Sequence, residues 1–220
     1  MSKQVYCLCG LGSDERIFSR LNWNKDWDIH YLHWLIPQSN EAISDYARRM
    51  SSNINTGNAI LIGVSFGGML CIEIAKHIPV DKVILISSIQ SYHELPRWMR
   101  VSGRLKLDAL IPGKALQQMR PLKLLSPIEN YFLGAITKEE KQLAEEYRKK
   151  VDPGYLKWSI HQILNWKNEW APTQVYHLHG DNDKILPIKN VRSTHVITGG
   201  RHFMVYTNPQ KISAVLEEII

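Results

Sequence analysis

The chain has 220 residues, 44% of them hydrophobic and 22% charged, with a net charge of +6. These values belong to a soluble globular chain and exclude a disordered one; no apolar run approaches the roughly 20 residues of a bilayer span, which excludes a transmembrane helix. The start, Met1 to Tyr6, lacks the charged n-region and long apolar core of a signal peptide, so a cytoplasmic location is expected.

The first predicted strand is Val5-Tyr6-Cys7-Leu8-Cys9, ending at Gly10-Leu11-Gly12. Cys7 and Cys9 are two apart, so they share a face. With Cys71 they make an odd, sparse set that suits a reducing compartment, and all three read as small buried hydrophobes. No Cys/His group has zinc spacing.

Asp28–Leu32 reads as a second strand. Ile43, Tyr46, Ala47 and Met50 then recur at helical spacing. Ala59-Ile60-Leu61-Ile62 is a short apolar run, as in a strand covered on both faces. Helical spacing resumes from Phe66 to about Ile78, where Pro79 stops it, and Val83-Ile84-Leu85-Ile86 is the next buried strand.

From about 92 to 170 the alternation of strand and helix gives way to a mostly helical insertion. Thr137-Lys138-Glu139-Glu140 is a capping-box pattern opening a charged helix. Asp152 caps a second helix, with Leu156, Ile160, Ile163 and Leu164 on one face. Residues 97–170 carry 14 Lys/Arg against 8 Asp/Glu, whereas the rest of the chain carries 13 of each, so all of the net charge falls in this middle segment.

Strands return at Val175–His179 and His195–Ile197. A last helix follows, with Asn208 as its cap, Pro209 in its first turn, and Ile212, Val215, Leu216 and Ile219 as its apolar stripe. Strands alternating with helices predict an α/β domain spanning 1–220, a mostly parallel sheet with helices on both faces.

Four turns after strands carry chemistry. Gly63-Val64-Ser65-Phe66-Gly67-Gly68 joins a buried strand directly to a helix and has the Gly-x-Ser-x-Gly spacing of a nucleophile elbow. The sharp turn lifts the Ser hydroxyl out of the sheet and demands small residues two before and two after it. It also leaves the N–H of Phe66, at a helix N-terminus, free for a developing oxyanion. Cys9-Gly10-Leu11-Gly12 is a tight turn whose Leu11 N–H can supply a second donor. It has neither the Gly-x-Gly-x-x-Gly nor the Gly-Lys-Ser/Thr pattern of a phosphate loop.

His179-Gly180-Asp181-Asn182-Asp183 follows a late strand and offers two carboxylates, Asp181 and Asp183, at the edge where catalytic groups of parallel sheets gather. Either also serves as an ordinary turn residue. Gly199-Gly200-Arg201-His202 follows the last strand, its glycine pair predicting a mobile loop that brings the imidazole over the sheet edge. His33, His77, His161 and His179 read as structural or exposed.

In chain order these give Ser65, then an Asp, then His202. Over residues 3–91 and 172–220 the sequence resembles the α/β-hydrolases, whose nucleophile, acid and base follow that order. The family's Gly-x-x-Asp-x-x-x-Pro pattern aligns with Gly180, Asp183 and Pro187, so the resemblance selects Asp183 over Asp181. Gly-Gly-x-His aligns with Gly199, Gly200 and His202. The oxyanion turn carries Cys9 where the family often has His. The family's first two strands have no counterpart, so six strands are expected instead of eight.

The resemblance implies acyl transfer to water. Ser65 is the nucleophile, His202 the base and Asp183 the residue that orients the base. The N–H groups of Leu11 and Phe66 form the oxyanion hole, and no metal or organic cofactor is required. It also implies that 92–170 form a lid that sets substrate choice. Trp98, Met99, Met119, Trp158, Trp166 and Trp170 fall there, part of them candidates for an acyl pocket and most of them for packing the lid on the sheet.

The expected substrate is a small acyl ester or thioester. An anionic one is compatible with the basic insertion, although such charge is usually a solvated helix face. C–C bond hydrolysis and acyl transfer to another acceptor use the same triad. A non-catalytic binding protein of this fold is the remaining alternative, and the intact Ser, Asp and His count against it. No nucleic-acid-binding motif accompanies the charge, no membrane partner is expected, and the oligomeric state is left open.

Overall fold

The computed structural model describes residues 2–107 and 126–220. Six strands form one sheet: Lys3–Leu8 (β1), Trp27–Leu32 (β2), Ile60–Val64 (β3), Lys82–Ile86 (β4), Val175–Gly180 (β5) and His195–Ile197 (β6). Their order is β2-β1-β3-β4-β5-β6, and every neighbouring pair is parallel. The expected parallel sheet of six strands is thus observed. β1 starts two residues earlier than the apolar pattern suggests and stops before Cys9, which opens the Gly-rich turn.

The helices among the described residues are Ile43–Ser51 (α1), Phe66–Ala75 (α2), Arg97–Arg104 (α3), Ser126–Leu133 (α4), Lys138–Lys150 (α5), Pro153–Asn165 (α6), Met204–Thr207 (α7) and Pro209–Ile219 (α8). None is long and apolar enough to cross a membrane. Strand alternation divides the core in two. Val5, Cys7, Ile60, Ile62, Ile84 and Ile86 pack with Ile212, Leu216 and Ile219 of α8 and with Phe18. Tyr6, Leu8, Leu61, Val83 and Leu85 pack on the other face with α1 and α2. All three cysteines are buried and unpaired, Cys7 and Cys9 in the same cluster.

Helices α3 to α6 follow β4 and precede β5, as the break in alternation predicts. The capping box forms: Thr137 Oγ1 accepts from Glu140 N at 3.2 Å, and Glu140 Oε2 accepts from Thr137 N at 2.9 Å. Asp152 caps α6 by accepting from Tyr155 N at 2.8 Å.

Asn208 departs from expectation. It sits at the N-cap of α8 with Pro209 in the first turn, but its side chain makes no cap bond and instead accepts from Thr207 Oγ1 at 2.9 Å. The reason is α7, which the sequence reading missed. Asn208 also ends that helix, and its φ of −126° and ψ of 45° are not the extended conformation of a capping residue.

Candidate active site

The turn between β3 and α2 holds Ser65 at φ 52°, ψ −119°, a left-handed conformation that a non-glycine residue keeps only when its surroundings enforce it. Ser65 N donates to Ile86 O at 2.9 Å, and Ser88 Oγ donates to Ser65 O at 2.6 Å. A Cβ on Gly63 would strike the backbone of Gly67 and Gly68, and one on Gly67 would strike the carbonyls of Leu8 and Cys9. Both glycines therefore meet the steric demand that the motif predicts. Ser88, which clamps the turn from the end of β4, carried no recognisable signal in the sequence.

Asp183 lies three residues beyond β5 and is buried. Its Oδ1 accepts from Ile185 N (2.9 Å) and Leu186 N (2.8 Å), which fixes the carboxylate plane. Its Oδ2 accepts from His202 Nδ1 at 2.8 Å, and His202 Nε2 in turn accepts from Ser65 Oγ at 3.0 Å. Burial alone would raise the Asp183 carboxyl. The adjacent His202 and the Leu186 N–H outweigh it and hold the group below its ordinary value. Asp181 is exposed and turned the other way, its Oδ1 accepting from Gly199 N at 2.8 Å.

Of the glycine pair before His202, Gly200 has a packing role that the sequence reading did not include. Gly200 is buried against Gly180, where a Cβ on either would meet the other's backbone, and Asn182 N donates to Gly200 O at 2.9 Å. Gly200 thus ties the loop of His202 to the turn of Asp183. Buried His202 and half-buried Ser65 then meet over the C-terminal edge of the sheet.

No family model and no curated protein sequence matches the chain. Solved structures do. MenH from S. aureus superposes with a TM-score of 0.75 at 15% identity, covering 99% of this chain and 92% of that one. A bromoperoxidase from Bacillus anthracis gives 0.71 at 14% identity, covering 100% and 92%. A lipase-esterase related protein from Clostridium acetobutylicum gives 0.66 at 18% identity, covering 99% and 94%. The chain has the α/β-hydrolase fold. Within that fold the Ser65–His202–Asp183 arrangement is triad-like, with the serine, carboxylate and imidazole in the expected chain order.

A cavity of about 640 Å³ opens onto Ser65 and His202. The turn from Gly10 to Ser13 forms one wall, closed by Ser13 N (3.0 Å) and Oγ (2.8 Å) donating to Gly10 O. Among the described residues no acceptor takes the Leu11 N–H. That of Phe66 begins α2 and has no intrahelical acceptor. Ile128 and Phe132 of α4, with Leu156 and Ile163 of α6, form the opposite wall. Of the predicted apolar face of α6, Leu156 and Ile163 line the cavity and Ile160 and Leu164 do not, and the residues this helix buries are Tyr155 and Ser159.

The tryptophans of the insertion divide. Trp166 is buried with Nε1 donating to Glu73 Oε1 (2.7 Å), and Trp158 donates to Glu41 O (2.7 Å) and packs on Tyr46 and Phe66. Trp98 and Trp170 are exposed. None of these four lines the cavity, and Met119 lies outside the described residues.

Proposed function

We propose that the protein is a serine hydrolase that cleaves an ester or thioester of a small, uncharged acyl substrate. The observation that carries this is the His202 imidazole bonded on one side to Ser65 Oγ and on the other to a buried Asp183. His202 Nε2 takes the Ser65 proton as Oγ attacks the acyl carbon; Asp183 holds the tautomer that leaves Nε2 free and stabilises the imidazolium. The oxyanion is held by the N–H groups of Leu11 and Phe66, a pair whose individual loss typically costs about 2.7–4 kcal/mol in the barrier. Protonated His202 then delivers its proton to the leaving oxygen or sulfur, and water, activated by the same base, releases the acyl group from Ser65.

The segment 92–170 acts as the lid and selects the acyl group. Its apolar lining at Ile128, Phe132, Leu156 and Ile163 supports a hydrocarbon chain. Arg148 reaches the cavity wall but is paired with Glu129 (3.2 Å), which lines the same wall, and donates to Asn130 Oδ1 (3.2 Å). Among the described lid residues that line the cavity, the cation is thus already paired, which supports an uncharged acyl group. The three buried, unpaired cysteines support a reducing, cytoplasmic setting.

The test is a panel of acyl esters and acyl thioesters of two to twelve carbons, compared by kcat/KM. The expected result is turnover with a preference for an uncharged chain of intermediate length over a dicarboxylic acyl group of equal length. Absence of turnover on every ester and thioester by folded protein would overturn the proposal.

A further inference from the structure

Two histidines of β5 occupy positions that a covered parallel strand normally gives to apolar side chains. His177 and His179 are both fully buried, and at i and i+2 they share one face. Burying two imidazoles is costly unless each is hydrogen-bonded, and here the bonds run toward the acid turn. His179 Nε2 lies 2.7 Å from Leu186 O and 3.6 Å from Asp183 Oδ2. A ring nitrogen that close to a carbonyl oxygen must carry a proton, because two lone pairs would otherwise meet.

Burial holds the His179 imidazole below its ordinary value, so the ring is neutral and Nδ1 is an acceptor. The donor to Nδ1 is then His177 Nε2, at 3.2 Å. His177 is also neutral, pushed down to about 3 by burial and by its neighbour His179. Its Nδ1 faces Gln90 Nε2 at 3.5 Å, and the second N–H of that amide donates to Arg192 O at 3.1 Å. Backbone oxygens of Ser88 and Arg192 also lie against His177.

We propose that His179 is a positioning residue for Asp183: its Nε2–H holds the Leu186 carbonyl and faces Asp183 Oδ2, so that the turn presents the carboxylate to His202. The proposal rests on the reading of Ser65, His202 and Asp183 as a working triad. Leu186 is the link. Its carbonyl is gripped by His179 while its own N–H binds Asp183 Oδ1, so one peptide couples the imidazole to the carboxylate. The Leu186 carbonyl sets the tautomer of His179, and His177 Nε2, 3.2 Å from Nδ1, completes the ring's contacts.

The test compares wild type, His179→Leu and His179→Gln on one p-nitrophenyl ester, each with its melting temperature. Leu keeps the bulk but removes the donor; Gln restores a side-chain N–H toward Leu186. Loss of the donor lowers kcat of the Leu variant by about 10–100-fold, the cost of a misplaced catalytic group, with KM within about twofold. Gln recovers most of the loss. A folded Leu variant with wild-type kcat, or equal losses in Leu and Gln, overturns the proposal.

Nitrogen-15 spectra of the wild-type histidines give a reading that needs no variant. His179 protonated on Nε2 alone near neutral pH is the expected state, and protonation on Nδ1 or on both nitrogens overturns it. An active wild type with an indifferent His179→Leu sinks only this proposal. An inactive wild type sinks the hydrolase reading and this one with it.

Discussion

At the sheet edge, Ser65, Asp183 and the loop of His202 are each held by contacts with the backbone of neighbouring segments. Ser65 is clamped between Ile86 O and Ser88 Oγ, Asp183 by two N–H donors, and the His202 loop by the close approach of Gly200 to Gly180. Among the described residues between β4 and β5, several of the ties to the rest of the chain run through side chains. Trp166 reaches Glu73 and Trp158 reaches the Glu41 carbonyl, while Ile128, Tyr131 and Phe132 of α4 remain largely exposed. One region has geometry that tolerates almost no change, and the other offers side chains that can be exchanged. The chemistry is assigned to the first and the choice of acyl group to the second.

The comparison breaks most visibly at the triad. Ser65→Ala should lower kcat by at least about 10⁴-fold with little change in melting temperature. Asp183→Asn should lower it by roughly 10⁴-fold through the wrong His202 tautomer, whereas Asp181→Asn, which touches only the Gly199 N–H, should stay within a few-fold. The reverse order would move the acid to Asp181.

The Asp183 carboxyl titrates below its ordinary value in the folded chain. Its stabilising contribution is present above the unfolded carboxylate pKa and is lost as pH falls through the folded one. Denaturant titrations should show that acid-side slope weakened in Asp183→Asn.

Changes in the helical segment should act on selection. Leu156→Trp fills the cavity opposite Ser65, so kcat/KM for an octanoyl ester should fall by about tenfold while that for an acetyl ester changes by less than about twofold. Equal losses on both would mean that α6 supports the triad itself. The smallest effect belongs to Thr137→Ala, which deletes the capping bond of α5 and should cost about 1 kcal/mol by chemical denaturation, with kcat unaltered.

Much of the sheet and of the site was legible because strict local rules govern them. A buried parallel strand needs an apolar run, and β3 and β4 have one. The elbow needs small residues at Gly63 and Gly67, and the acid and base follow strand ends in a fixed order. What escaped depends on contacts between distant segments. Ser88 is one of many serines until β4 is laid beside β3. Gly200 reads as loop slack until it meets Gly180, and Asn208 reads as a free cap until α7 ends on it. His177 and His179 look unremarkable in sequence because their meaning lies in Leu186, seven residues beyond His179.

The central claim is that Ser65 is an activated nucleophile. Treating folded protein with a fluorophosphonate and mapping the adduct by peptide mass spectrometry tests it directly. A single adduct on Ser65, strongly slowed in His202→Ala and absent in Ser65→Ala, is the predicted result. A folded wild type that stays unlabelled, or carries its label on another residue, would contradict it.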